Sequence, residues 1–251
     1  MLSVYSIINW ISGVIFLAFG AFLSLGHQKR STRAYGLVSF ALALWAFGVA
    51  LLMSGFSDWA LFLSRFNHYI GALVGPLFLY FAYLFPEEEK PRTRIVAAVI
   101  LFELCLLPLY LGTDFIVKST FVTLAPSVDL GWDFGPYGYL FHLNFGVPFF
   151  AGFLILVQKL ARYRGTALER QVAYLVGGTL LGALFGLCIN ILLPFFGLFK
   201  YSWLGPALST SWVAIMAYII HTYSAISVKV IASVLAILIL LVILFVNIFV
   251  G

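Results

Sequence analysis

Arg65, His68 and Tyr69 stand at i, i+3 and i+4, a spacing that puts them on one face of a helix. Together they offer a fixed positive charge, an imidazole that can give or take a proton, and a phenol. That set suits an anionic head group or a carboxylate. Asn9, His142, Asn144 and Asn190 add groups able to hydrogen-bond a ligand. Glu103 is an isolated acid with three readings: a partner of His68, a protonated neutral acid because burial disfavours the charged form, or a coupling or proton site. Other chemistry is missing. His27 precedes Gln28 and His221 precedes Thr222, so no phosphoacceptor histidine is followed by an acid. No glycine-rich nucleotide loop, nucleophile motif or closely spaced His/Cys/acid group occurs, and 206–224 holds no lysine for a retinal Schiff base. The residues therefore imply no catalytic group, no metal and no cofactor, and this chain reads as a binder rather than an enzyme.

Each of these polar residues lies inside a long apolar run. The chain has 251 residues, 63% hydrophobic and 9% charged, with a mean hydropathy of +1.10. Soluble domains carry roughly 25% charged residues, so lipid is the solvent that fits. The net charge of +5 sits in short loops, which excludes a nucleic-acid footprint. Cys105 and Cys188 fall within apolar runs and read as packing residues rather than a disulfide. Met1–Ser6 has no basic residue and the first apolar run exceeds a signal core, so the first span is expected to be retained.

Eight spans are expected, at about 4–26, 35–56, 60–85, 95–112, 137–159, 171–195, 206–224 and 229–250. Lys29, Arg30, Arg33, Lys90, Arg92, Arg94, Lys159, Arg162, Arg164, Arg170 and Lys229 fall in one set of alternating connections. Lys118 and Lys200 fall in the other. The positive-inside rule then places the N-terminus outside. The expected fold is an all-α, polytopic bundle of seven to eight transmembrane helices, with a sensor-like domain over 1–226 and an additional C-terminal helix over 227–251.

The segment 113–136 is the longest piece outside the spans. Its β-branched and aromatic residues and its GWDFGP turn chemistry fit either a short outer β-hairpin or an irregular loop with interfacial aromatics. Gly178, Gly182 and Gly186 on the sixth span, and Gly71 and Gly75 on the third, allow close helix approach within the bundle or at a homodimer face. Counting 1.5 Å per residue places Asn9, Arg65, His142, Asn144 and Asn190 about 8–10 Å below the outer surface, with His68 one turn deeper. Thr210 and Ser211 come close to this level. One polar layer thus lies in the outer third, and it either holds the bundle in register or binds a ligand.

Further residues carry a resemblance. Trp45 in the second span, Arg65 early in the third, and Pro76 followed by LFLYF resemble the N-terminal seven-helix sensor region of bacterial histidine kinases. So do Arg170-Gln171, Asn190 with Pro194, Gly205-Pro206 and Ala217-Tyr218-Ile219. The resemblance covers about residues 5–226. It implies an input module in the bacterial cytoplasmic (inner) membrane, N-terminus outside, that signals to a cytoplasmic kinase or cyclase. The chain departs from that pattern at its exit, where His221, Thr222, Ser224 and Ala225 replace basic residues and a leucine-rich turn, and an eighth apolar run follows. Either the chain is the sensor half of a longer histidine kinase, or it signals through a separate partner.

The leading functional expectation is a sensor that binds a small or lipid-like ligand in the outer polar layer, at Arg65, His68, Tyr69, Asn9, His142, Asn144 and Asn190. The partners it implies are the lipid bilayer, that ligand and an output domain, with no nucleic acid. The alternatives are a multi-pass transporter of a small solute, and an intramembrane lipid-modifying enzyme.

Overall fold

The computed structural model describes residues 3–26, 29–55, 57–87, 93–123 and 129–223. The expected eighth span at 229–250 and the division at 226/227 lie outside the described residues, as do His27, Lys90, Arg92 and Lys229.

Seven helices of 20 or more residues lie among the described residues: α1 (Val4–Gly26), α2 (Arg30–Leu52), α3 (Ala60–Leu84), α4 (Thr93–Gly112), α5 (Tyr139–Arg162), α6 (Ala167–Leu187) and α7 (Leu204–Tyr223). Val4–Leu25, Arg30–Leu52 and Tyr139–Arg162 are long and apolar enough, by length and composition, to cross a membrane. The protein is an all-α membrane protein. Its helices close a ring in the order α1, α2, α3, α5, α6, α7, with α7 returning to α1, and α4 packs outside the ring on α3.

Composition explains which helix lies where. Helix α2 buries Ala34, Ala41, Ala43, Ala46, Gly48 and Ala50, so neighbouring backbones approach it from several sides. Its Tyr35 ring meets Phe81 of α3 at 5.1 Å and Trp212 of α7 at 5.7 Å, both edge-on. Phe78 of α3 stacks on Phe149 of α5 at 4.7 Å. These aromatic rings form the centre of the core. Helix α4 instead exposes Leu101, Phe102, Leu104 and Cys105, the pattern of a peripheral helix facing lipid. Cys188 is also exposed, so both thiols are free surface groups rather than core packing residues. Helical serines bond back to their own chain, as Ser12 does to the Ile8 carbonyl (2.9 Å) and Ser39 to Tyr35 (3.1 Å). This satisfies hydroxyls where water is absent.

A hairpin forms between α4 and α5. Strand β1 (Val117–Thr123) pairs antiparallel with β2 (Asp129–Phe134), with Thr120 opposite Trp132. The register breaks between Val117 and Ser119. Ser119 donates to the Asp133 carboxylate (2.7 Å) and Thr120 to the Gly131 carbonyl (2.9 Å). The hairpin gathers one end of the bundle, because Phe121 and Trp132 both pack on Phe199 in the α6–α7 connection. At the opposite end Lys159, in the last turn of α5, donates to the carbonyls of Ala82 (3.1 Å), Tyr83 (2.8 Å) and Phe85 (2.7 Å). One ammonium thereby caps the end of α3. Tyr163 donates to Glu87 beside it (2.9 Å).

Candidate functional site: a chamber beneath the hairpin

Inside the helix ring, under β2, lies a cavity of about 130 Å³. Its walls come from α2, α3, α5, α6 and α7, and Leu130 and Trp132 of β2 close it above. Among the described residues no Lys, Arg, Asp or Glu lines it, and His68 is the one ionisable side chain that does. Phe141, Phe145 and Phe149 succeed one another at i, i+4 and i+8 on α5, which turns one aromatic face into the chamber.

The polar groups on this wall are incompletely paired. Asn67 Oδ1, Trp132 Nε1, Thr179 Oγ1, Ser202 Oγ and Trp212 Nε1 are all buried, and none has a hydrogen-bond partner among the described residues. Buried polar atoms are nearly always paired, and these five lie on residues that line one space. Asn67 is pressed against Gly48 of α2, where a Cβ would overlap its amide. Glycine at 48 is what lets the amide reach the wall.

His68 is the best defined of the lining groups. Its Nδ1 lies 2.7 Å from the Ser64 carbonyl, which can only accept, so Nδ1 carries the proton and a neutral ring keeps Nε2 as its acceptor. Trp132 (4.7 Å), Phe141 (5.0 Å) and Phe134 (5.6 Å) surround the ring edge-on.

Asn190 also reaches the wall. It sits in a one-turn π-helical segment, Cys188–Leu192, that follows α6, and donates to the Gly186 carbonyl (3.1 Å). A Cβ on Gly205 would strike the Asn190 amide, so the start of α7 rests directly on this π turn. Wide turns of this kind are often found at functional sites.

The other residues singled out from the sequence lead elsewhere. Arg65 turns to the hairpin: Nε donates to the Val117 carbonyl (3.1 Å), Nη1 to Leu111 (3.5 Å), and Nη2 is paired with Asp114. Tyr69 packs edge-on against Tyr110 of α4 at 5.6 Å. Asn9 donates to the carbonyls of Tyr5 (2.8 Å) and Trp203 (3.1 Å), joining α1 to the approach of α7. His142 is partly buried between the Phe134 (5.2 Å) and Phe141 (5.3 Å) rings, outside the lining. Asn144 is buried facing Tyr110. The expected Glu103–His68 pair does not form, because His68 faces the chamber while Glu103 lies beside Tyr69 and Tyr110. Of the sequence-selected residues the chamber therefore unites His68 and Asn190. Thr210 and Ser211 bond back to Ala207 and Leu208, and their neighbour Ser209 is the residue that lines.

The groups that sequence reasoning passed over are Asn67, Thr179, Ser202 and the tryptophans at 132 and 212. Asn67 carried a readable signal, as an amide at the same depth as His68. The tryptophans carried none, since an indole on an apolar run reads as core or interface.

A ring of long apolar helices thus encloses a mainly apolar chamber. The family model described as the N-terminal 7TM region of histidine kinase matches residues 8–250. The chain belongs to that family, and it is a membrane sensory input module. Searches of curated proteins and of solved structures gave no match.

Proposed function

We propose that this module senses a small, uncharged, largely apolar ligand in the chamber under the hairpin. The observation that carries the reading is the set of five unpaired polar atoms on a wall without charge. Such a wall rewards a molecule that brings one or two hydrogen-bonding groups on an apolar body, and penalises a carboxylate, which would be buried without a counter-charge. A cavity of about 130 Å³ suits a single ring, since about 150 Å³ accommodates benzene. The ligand would touch α3 through Asn67 and His68, and α6 and α7 through Thr179, Asn190 and Trp212. Arg65 acts as the latch of the hairpin, while Asn9, Tyr69, His142 and Asn144 hold the surrounding frame.

Binding moves the output by favouring one packing of the π turn against Gly205, which shifts α7 and its exit near His221. The ligand must prefer one of two states for any signal to pass. The chain crosses the inner membrane with its N-terminus outside, and the sensor lies within residues 1–226. The signal goes to a cytoplasmic kinase domain or a partner that carries one, and a homodimer would couple two such exits.

The test uses purified protein in nanodiscs, with tryptophan fluorescence and thermal unfolding as readouts. Cyclohexanol and cyclohexanone serve as neutral probes and cyclohexanecarboxylate as the anionic one. The neutral probes are expected to bind, and Thr179→Val and Asn67→Leu each to weaken them by up to about tenfold, the value of one hydrogen bond. Binding of the carboxylate in preference to the neutral rings, lost in Arg65→Ala, would overturn the reading.

A further inference from the structure

A second polar cluster lies apart from the chamber, in the seam of α3, α4 and α5. Glu103 of α4 is 1% exposed, Tyr110 two turns along the same face 0%, and Asn144 of α5 7%. Tyr69 of α3 closes the group, its ring edge-on to Tyr110 at 5.6 Å. Glu103 lies beside both phenols, and the Asn144 amide lies beside the Tyr110 hydroxyl. Glu103 Oε2, Tyr110 Oη and Asn144 Nδ2 are buried with no partner among the described residues.

The surrounding charges do not neutralise the acid. On α3, Arg65 is turned to Asp114 and the hairpin, and His68 to the chamber. On α5, His142 lies between Phe134 and Phe141. Among the described residues no basic side chain is ion-paired with Glu103. An ionised carboxylate in such a place, without a counter-charge, costs more than its hydrogen bonds return. Something must bring one positive charge to it.

We propose that Glu103, with Tyr69, Tyr110 and Asn144, forms a buried site for one monovalent cation, either a proton or a sodium ion. A proton converts Glu103 into a donor, with the Tyr110 hydroxyl and the Asn144 amide within its cluster. A sodium ion would take the carboxylate, phenolic and amide oxygens, which suit a hard cation. In either case the cation binds between three helices, and its presence stabilises their packing. The site does not depend on the ligand chamber.

The test is thermal unfolding of the purified protein from about pH 6 to about pH 9, in choline chloride and again in sodium chloride at equal ionic strength. A folded state that holds a proton the unfolded chain releases loses stability as pH rises. In choline, wild-type Tm is therefore expected to fall by about 4 °C across that range, while Glu103→Gln, a neutral isostere, stays level over the same interval. Sodium that restores wild-type Tm near the upper limit, and not that of E103Q, identifies sodium as the occupant. Identical wild-type profiles in both salts, still flattened by E103Q, identify the proton. Superimposable profiles for wild type and E103Q with no sodium effect overturn the site. Should E103Q fail to fold, Tyr110→Phe and Asn144→Leu are read in the same series, and profiles matching wild type overturn it equally.

Discussion

At the scale of single residues, position along a helix and direction around it are separate facts. Arg65 and Asn67 lie two positions apart at nearly one depth, yet a helix turns about 200° between them. Arg65 consequently reaches over the hairpin carbonyls, while Asn67 faces Gly48 and the chamber. This assigns Arg65 to stability, and the assignment is testable. Arg65→Ala removes a charged donor from the Val117 carbonyl and should cost about 2 kcal/mol, read as a loss of about 6 °C in Tm. Asp114→Asn should cost less than about 1 kcal/mol, because the Asp114 side chain is 73% exposed and a solvated ion pair contributes little. Equal losses in the two variants would place the stabilising interaction in the ion pair rather than in the carbonyl contacts.

At the scale of elements, the bundle is closed at its two ends by different means. The hairpin end is held by aromatic contacts from Trp132 and Phe121 to Phe199, together with the Arg65 latch. The opposite end depends on Lys159, whose ammonium satisfies three carbonyls at the end of α3. Lys159→Met keeps the aliphatic stem and removes the donor, so it should destabilise the α3–α5 contact by about 2 kcal/mol. Hydrogen exchange checks this directly: amides in the last turns of α3 and α5 should lose protection, while those near the hairpin keep theirs. Loss of protection throughout the bundle would mean that the clamp acts on global rather than local stability.

At the scale of the whole molecule, charge is divided between the two ends. Lys118 and Lys200 belong to the hairpin end, and Arg30, Arg33, Lys159, Arg162, Arg164 and Arg170 to the other. The proposed orientation puts the hairpin outside. With Cys105 and Cys188 replaced by serine, a cysteine at Lys118 should react with an impermeant maleimide on intact cells, and one at Arg164 only after permeabilisation. The reverse pattern would invert the topology.

The helical, membrane-embedded nature of this chain was legible in the sequence, because lipid leaves a backbone few choices and apolar runs of about 20 residues declare the outcome. The family was legible too, in Trp45, Arg65, Pro76, Asn190 and Gly205-Pro206. The 113–136 segment was half legible: its composition allowed a strand pair or a loop, and contact with Phe199 and Arg65 goes with the strand pair. Which polar groups meet was settled only by tertiary structure. Counting residues measures depth, and it placed Arg65, His68, His142 and Asn190 in one layer without saying which way each pointed. Helix rotation and the order of the ring sent His68 and Asn190 inward to join Asn67, Thr179 and Trp212, and set Glu103 against two tyrosines instead of a histidine. Those angles come from packing between helices distant in sequence, where bare glycines such as Gly48 and Gly205 allow contact, and no local spacing encodes them.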